Sequence, residues 1–121
     1  MNITTLLFIV AFFIIGCTNK QPNIFETTSS FTSLTINGEI PIKAAIKKES
    51  NETNLVVVIE GDGRAWLDRH TPSNDPTPKN GFGEKIALGI HASSVLYLSR
   101  PCQFLSDKER EVCTVLDWTD G

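Results

Sequence analysis

Positive charge is in short supply in this chain. Lys and Arg number 11 against 14 Asp and Glu over 121 residues, a net charge of −3, with no long basic run. That excludes the electrostatic footprint of a nucleic-acid binder. Long apolar stretches are equally scarce: there is a single one, at the N-terminus, which excludes a multi-span membrane protein. No internal repeat, heptad or low-complexity tract supports a purely structural role. With 2 histidines and 3 cysteines, none closely paired, no tetrahedral metal set can be completed. No cofactor is called for. What is present, 40% hydrophobic and 21% charged residues, suits one small globular domain.

The apolar stretch covers residues 6–15, and nothing in residues 1–16 carries a charged side chain. Ten residues are too short to cross a hydrocarbon core, which needs roughly 20, and suit the h-region of a signal peptide. Ile14-Ile15-Gly16-Cys17 follows and resembles the bacterial lipobox. The resemblance implies a signal peptide over 1–16, a lipid on Cys17 that attaches the chain to a membrane, and a polar tether over 17–30. It also implies a place in the bacterial cell envelope, on the periplasmic or extracellular face. An uncleaved anchor or a plain secretory signal is the other reading, since no Lys or Arg precedes the apolar run. With Cys17 lipidated in an oxidising compartment, Cys102 and Cys113 remain, 11 apart. That spacing permits a disulfide loop, which by chain entropy contributes roughly 2–3 kcal/mol. Free thiols are the alternative.

Residues 31–36 alternate apolar and polar, the period of a half-buried strand, and Asn37-Gly38 is a hairpin-turn dipeptide. Residues 40–46 predict a second strand with Ile40, Ile42, Ala44 and Ile46 on one face; Pro41 suits a strand start or an edge. Leu55-Val56-Val57-Val58-Ile59 is a continuous, largely β-branched run, which predicts a strand buried on both faces. Residues 60–80 contain three prolines and no apolar period, and so long a loop in a small domain is usually functional. Residues 81–92 predict a helix with Phe82, Ile86, Leu88 and Ile90 as its apolar stripe, although Gly83 and Gly89 weaken it. Residues 94–99 predict another buried strand. A strand–helix–strand unit of this kind implies a parallel crossover, and the class is α/β.

Ligand sites in open α/β sheets lie beyond the carboxyl ends of the parallel strands. Two segments fall there: Glu60-Gly61-Asp62-Gly63-Arg64-Ala65-Trp66 and Ser99-Arg100-Pro101-Cys102-Gln103-Phe104. Together with Pro72-Ser73-Asn74-Asp75-Pro76-Thr77-Pro78, they resemble a group of exported bacterial α/β-hydrolases. The likeness runs over about residues 55–118. It implies that residues 31–121 are the N-terminal portion of an α/β-hydrolase fold, an antiparallel hairpin leading into a parallel strand–helix–strand unit. In that fold the third strand lies between the fourth and a fifth, so the sheet here is expected to be incomplete, with an open edge. The loop after the third strand supplies an oxyanion-hole N–H. Here that loop is Gly61, Asp62, Gly63 and Arg64, with Asp62 or Gly63 as the donor. The full-length enzyme would act on a small ester through a serine.

No Gly-x-Ser-x-Gly elbow occurs in the chain, and both His70 and His91 precede the place where an elbow belongs. The sequence therefore predicts a partial hydrolase, without catalytic residues of its own, inactive and marginally stable. The alternative from another class is a non-catalytic envelope lipoprotein that binds a small molecule or a protein at the same cleft. Plainer roles are expected for several side chains: His70 as a solvated loop residue and His91 as a cap on the helix C-terminus. Arg64 is expected to pair with Glu60 or Asp62, and Asp75 to do turn chemistry before proline. Trp66 suits a cleft wall or a sheet end equally. The spacing of Asp62, Asp68 and Asp75 fits no calcium loop.

Overall fold

The computed structural model describes residues 30–91 and 93–120. The expected signal segment and Cys17, with the tether up to residue 29, lie outside the described residues. The elements in chain order are β1 (Thr32–Ile36), β2 (Ile42–Lys47), β3 (Leu55–Ile59), α1 (Phe82–Gly89) and β4 (Ser94–Leu98). Two one-turn helices follow, α2 (Asp107–Arg110) and α3 (Leu116–Thr119). The four strands form one mixed sheet in the order β1-β2-β4-β3. β1 pairs antiparallel with β2, and β2 antiparallel with β4. β4 pairs in parallel with β3, as the intervening helix requires. The class is α/β, and β3 stands at the edge of the sheet.

Directly opposed residues share a face, and the register divides the sheet into two unlike faces. One carries Ala45, Lys47, Val95 and Tyr97 with Val56 and Val58, and α1 lies over it. The core sits here: Phe31, Ala45, Ala87, Val95 and Tyr97, with Val58, Leu88 and Ile90 packed against them. The other face carries Leu34 and Ile36, Ile42 and Ile46, Leu96 and Leu98, and Leu55, Val57 and Ile59. It is apolar, and no described helix covers it.

Four expectations are corrected by this arrangement. β3 is not buried on both faces: Leu55, Val57 and Ile59 are 53%, 48% and 64% exposed, because only the opposite face has a helix over it. Each forfeits part of the roughly 1.5–3 kcal/mol that full burial of such a side chain supplies. The hairpin does not turn on Asn37-Gly38 alone; Ile36 pairs with Ile42, so residues 37–41 all form the loop and β2 starts after Pro41. The helix does not bury its largest side chains. Phe82 and Ile86 are exposed, whereas Gly83, Glu84 and Ala87 face the sheet. Small residues win because they let the helix approach: a Cβ on Gly83 would stand only 3.1 Å from the Glu60 Cα. Finally, His91 does not cap α1, whose C-cap is Ile90. The Lys47 ammonium donates to the Ile90 carbonyl at 2.5 Å and supplies the cation at that helix end.

Candidate functional site

The N-terminus of α1 has no side-chain cap of its own, since Gly81 occupies the N-cap. Glu60, the residue after β3, does that work from outside the helix. Its carboxylate accepts from the amides of Gly83 at 3.0 Å and Glu84 at 3.2 Å, from the Tyr97 hydroxyl at 3.0 Å and from the Gly61 amide at 3.1 Å. Glu60 is 4% exposed and so forms a buried peg joining β3, α1 and β4. The site loop, residues 60–64, therefore leaves the sheet from an anchored point. Such carboxylate–amide bonds at a helix N-terminus contribute about 1.5–3 kcal/mol each because one partner is charged.

The next turn is held by Gln103, which is 1% exposed. Its side-chain amide donates to the Gly61 carbonyl at 2.9 Å and, weakly, to the Pro76 carbonyl at 3.4 Å. Its side-chain oxygen accepts from the Arg100 amide at 3.1 Å. Three segments thus converge on one side chain: the loop after β3, the proline-rich stretch, and the loop after β4. Gly63 has φ +62°, and a Cβ there would stand 2.2 Å from the Pro76 carbonyl oxygen, so only glycine fits. The Arg64 amide donates to that same carbonyl at 2.9 Å. The Phe104 amide donates to the Thr77 hydroxyl at 2.8 Å, tying the last two segments together again.

The loop after β4 is strained as well as tied. Cys102 and Phe104 adopt φ 67° and 58°, left-handed conformations that cost a non-glycine residue about 1–3 kcal/mol. The Cys102–Cys113 disulfide, with Cα atoms 6.1 Å apart, pins this loop to the segment between α2 and α3. Cys102 is fully buried. The free-thiol alternative is thereby set aside.

Above these loops lies a cleft of about 370 Å³, lined among others by Asp62, Gly63, Trp66, Arg100, Trp118 and Asp120. Both segments expected at the carboxyl ends of β3 and β4 meet there. Asp62 forms an ion pair with Arg100 at 2.5 Å, so Arg64 pairs with neither Glu60 nor Asp62 as expected from the sequence. Distance along the chain favours Arg64, but its amide is turned onto Pro76 and Arg100 arrives from the neighbouring parallel strand. Of the four loop amides, those of Gly61 and Arg64 are spent inside the protein. Those of Asp62 and Gly63 have no acceptor among the described residues. Two successive amides beside a left-handed residue make a concavity suited to an anionic oxygen. The Asp62 carboxylate would repel such an oxygen, and Arg100 offsets its charge.

Asp68, His70 and Asp75 sit apart from the cleft. The Asp68 carboxylate accepts from the His70 amide at 2.8 Å and the Thr71 amide at 3.0 Å, and these bonds hold it below the usual carboxylate range. His70 is exposed there. Asp75 accepts from the Thr77 amide at 2.9 Å and pairs with Arg110 at 3.2 Å, while Ser73 completes the turn. Trp66 is 48% exposed at the cleft, and its bridge to Pro72 starts a small hairpin within the proline-rich stretch. Sequence reasoning put Glu60 and Gln103 in the right segments but missed their anchoring roles, and it missed Trp118 as a cleft wall. A lone acid directly after an apolar strand, facing a Gly81-x-Gly83 helix start, was the available signal for Glu60. Comparison with protein-family models, with curated proteins and with solved structures gives no match.

Proposed function

We propose that this chain carries the oxyanion-stabilising part of an esterase-type α/β-hydrolase, tethered to a bacterial membrane through a lipid on Cys17. The serine nucleophile and its histidine base come from outside these 121 residues, which contain no Gly-x-Ser-x-Gly. In the assembled enzyme the serine oxygen attacks the ester carbonyl, and the oxygen that becomes negative is received by the amides of Asp62 and Gly63. Arg64 takes no part, since its amide is bound to Pro76.

The observation that carries this reading is the pair of unclaimed amides over the cleft, at the carboxyl end of a parallel strand. The strand order β1-β2-β4-β3 supports it, because the resemblance implies a third strand beside the fourth and open on its other side. The apolar face and the β3 edge, which no described element covers, are surfaces that a larger sheet with helices on both sides would bury. The test is an amide titration of the full chain with an alkylphosphonate, an anion that imitates the tetrahedral oxygen. The amide resonances of Asp62 and Gly63 are expected to move together, saturating in the millimolar range, while Arg64 stays still. Movement of Arg64 with Asp62 and Gly63 unmoved would refute the assignment. A fluorophosphonate probe is expected to leave the isolated chain unlabelled.

A further inference from the structure

Glu84 is 2% exposed and Glu60 4%, and the two carboxyl groups converge under the first turn of α1. A Cβ built on Gly81 would stand 2.3 Å from Glu84 Oε2 and 3.1 Å from Glu60 Oε2, so both oxygens crowd the same point. No Lys or Arg among the described residues forms an ion pair with either. Two buried carboxyls this close, without a cation, do not both ionise without strain. We propose that the Glu60–Glu84 pair is a proton-operated latch. It holds α1 and the start of the 60–64 loop on the sheet while the Glu84 carboxyl keeps its proton, and it loosens when that carboxyl ionises beside Glu60.

The parts of the latch are all in place. Glu60 grips the Gly83 and Glu84 amides of the helix and the Gly61 amide of the loop, so displacing it frees both elements together. The other groups facing the pair are few. β3 itself contributes no titratable residue and β4 only Tyr97, whose hydroxyl donates to Glu60. Burial, then the Glu60 and Glu84 charges, push that hydroxyl up, so it stays a donor. On α1, Lys85 points to solvent, and Lys47 and His91 sit at the opposite end. Burial first, and the neighbouring Glu60 second, push the Glu84 carboxyl up to about 7. The latch stands on this geometry whatever reaction the cleft serves.

The decisive experiment follows hydrogen exchange of the Gly83, Glu84 and Gly61 amides in the full chain, corrected for intrinsic rates, from pH 5 to 8. Opening releases a proton, so protection is expected to fall roughly 30-fold between pH 5 and 7 and then level off. In Glu84→Gln, which keeps the shape without the charge, the fall should vanish. The same fall in both proteins would overturn the proposal. Carboxyl ¹³C titration of the wild-type chain decides the matter even if the variant does not fold. An inflection of Glu84 near 7 is expected, and one at the ordinary glutamate value would overturn it.

Discussion

Replacing Gln103 with alanine removes the one side chain on which three loops of the candidate site converge. Its bonds to the Gly61 carbonyl at 2.9 Å and from the Arg100 amide at 3.1 Å have good geometry, and each contributes about 1 kcal/mol. The longer contact with Pro76 adds little, because that carbonyl keeps its bond from the Arg64 amide. A fully buried side chain also leaves a cavity when truncated, which costs roughly 1–2 kcal/mol more at a polar site that partly collapses. The expected loss is therefore about 3 kcal/mol, a large share of the stability of so small a domain. Urea denaturation followed by the fluorescence of Trp66 and Trp118, which flank the cleft, measures it. A loss below about 0.5 kcal/mol with an unchanged denaturant slope would refute the view that Gln103 organises the site.

Gly63→Ala is expected to cost at least about 2 kcal/mol, from the left-handed backbone together with a Cβ pressed on the Pro76 carbonyl, read as a fall in Tm. Reducing the Cys102–Cys113 bond, or replacing both cysteines with serine, should cost roughly 2–3 kcal/mol in denaturant titrations with and without reductant. On the acid side, the hydrogen bond from Lys43, then the Ser106 amide, hold Glu109 down at about 2. A carboxyl lowered on folding adds stability that is fully present above its ordinary value near 4.5 and is lost as pH falls toward 2. Lys43→Gln should flatten that acid limb of the stability–pH curve, and an unchanged limb would show that the pair contributes nothing.

The two parallel strands were legible because short β-branched runs bounded by polar residues suit few other structures, and the helix between them dictates a parallel pairing. The placing of the ligand loops followed, since chain direction alone puts residues 60–66 and 99–104 at the same end of the sheet. The faces were legible only in part: Ile42, Ala44 and Ile46 do share one, and Leu88 and Ile90 of the helical stripe do pack on the core. Hydropathy period assigned Phe82 and Ile86 to the core of α1, but distance of approach decided otherwise. Gly83, Ala87 and Ala45 are the residues small enough to let helix and sheet meet. The role of Gln103 escaped because it depends on three segments distant in sequence, none of which signals the others. The one-turn helix α2 escaped because four residues leave no apolar period, and its Ser106–Glu109 capping box emerges only in the structure.

The pairing of Asp62 with Arg100 shows the same limit at the site itself. Distance along the chain favours Arg64, four positions from Glu60 and two from Asp62, whereas the fold delivers Arg100 from the next parallel strand. What the sequence located was the loop; the division of its amides into spent and unspent required the proline-rich stretch to be in place. That division is what turns a glycine-rich turn into a candidate oxyanion site.

The most direct test of the hydrolase reading is the DNA sequence through and past the codon for Gly121, translated in all three frames. The account predicts a Gly-x-Ser-x-Gly elbow followed by an acid and then a histidine, in that order, in one of them. A stop codon with nothing of that pattern beyond it in any frame would contradict the account.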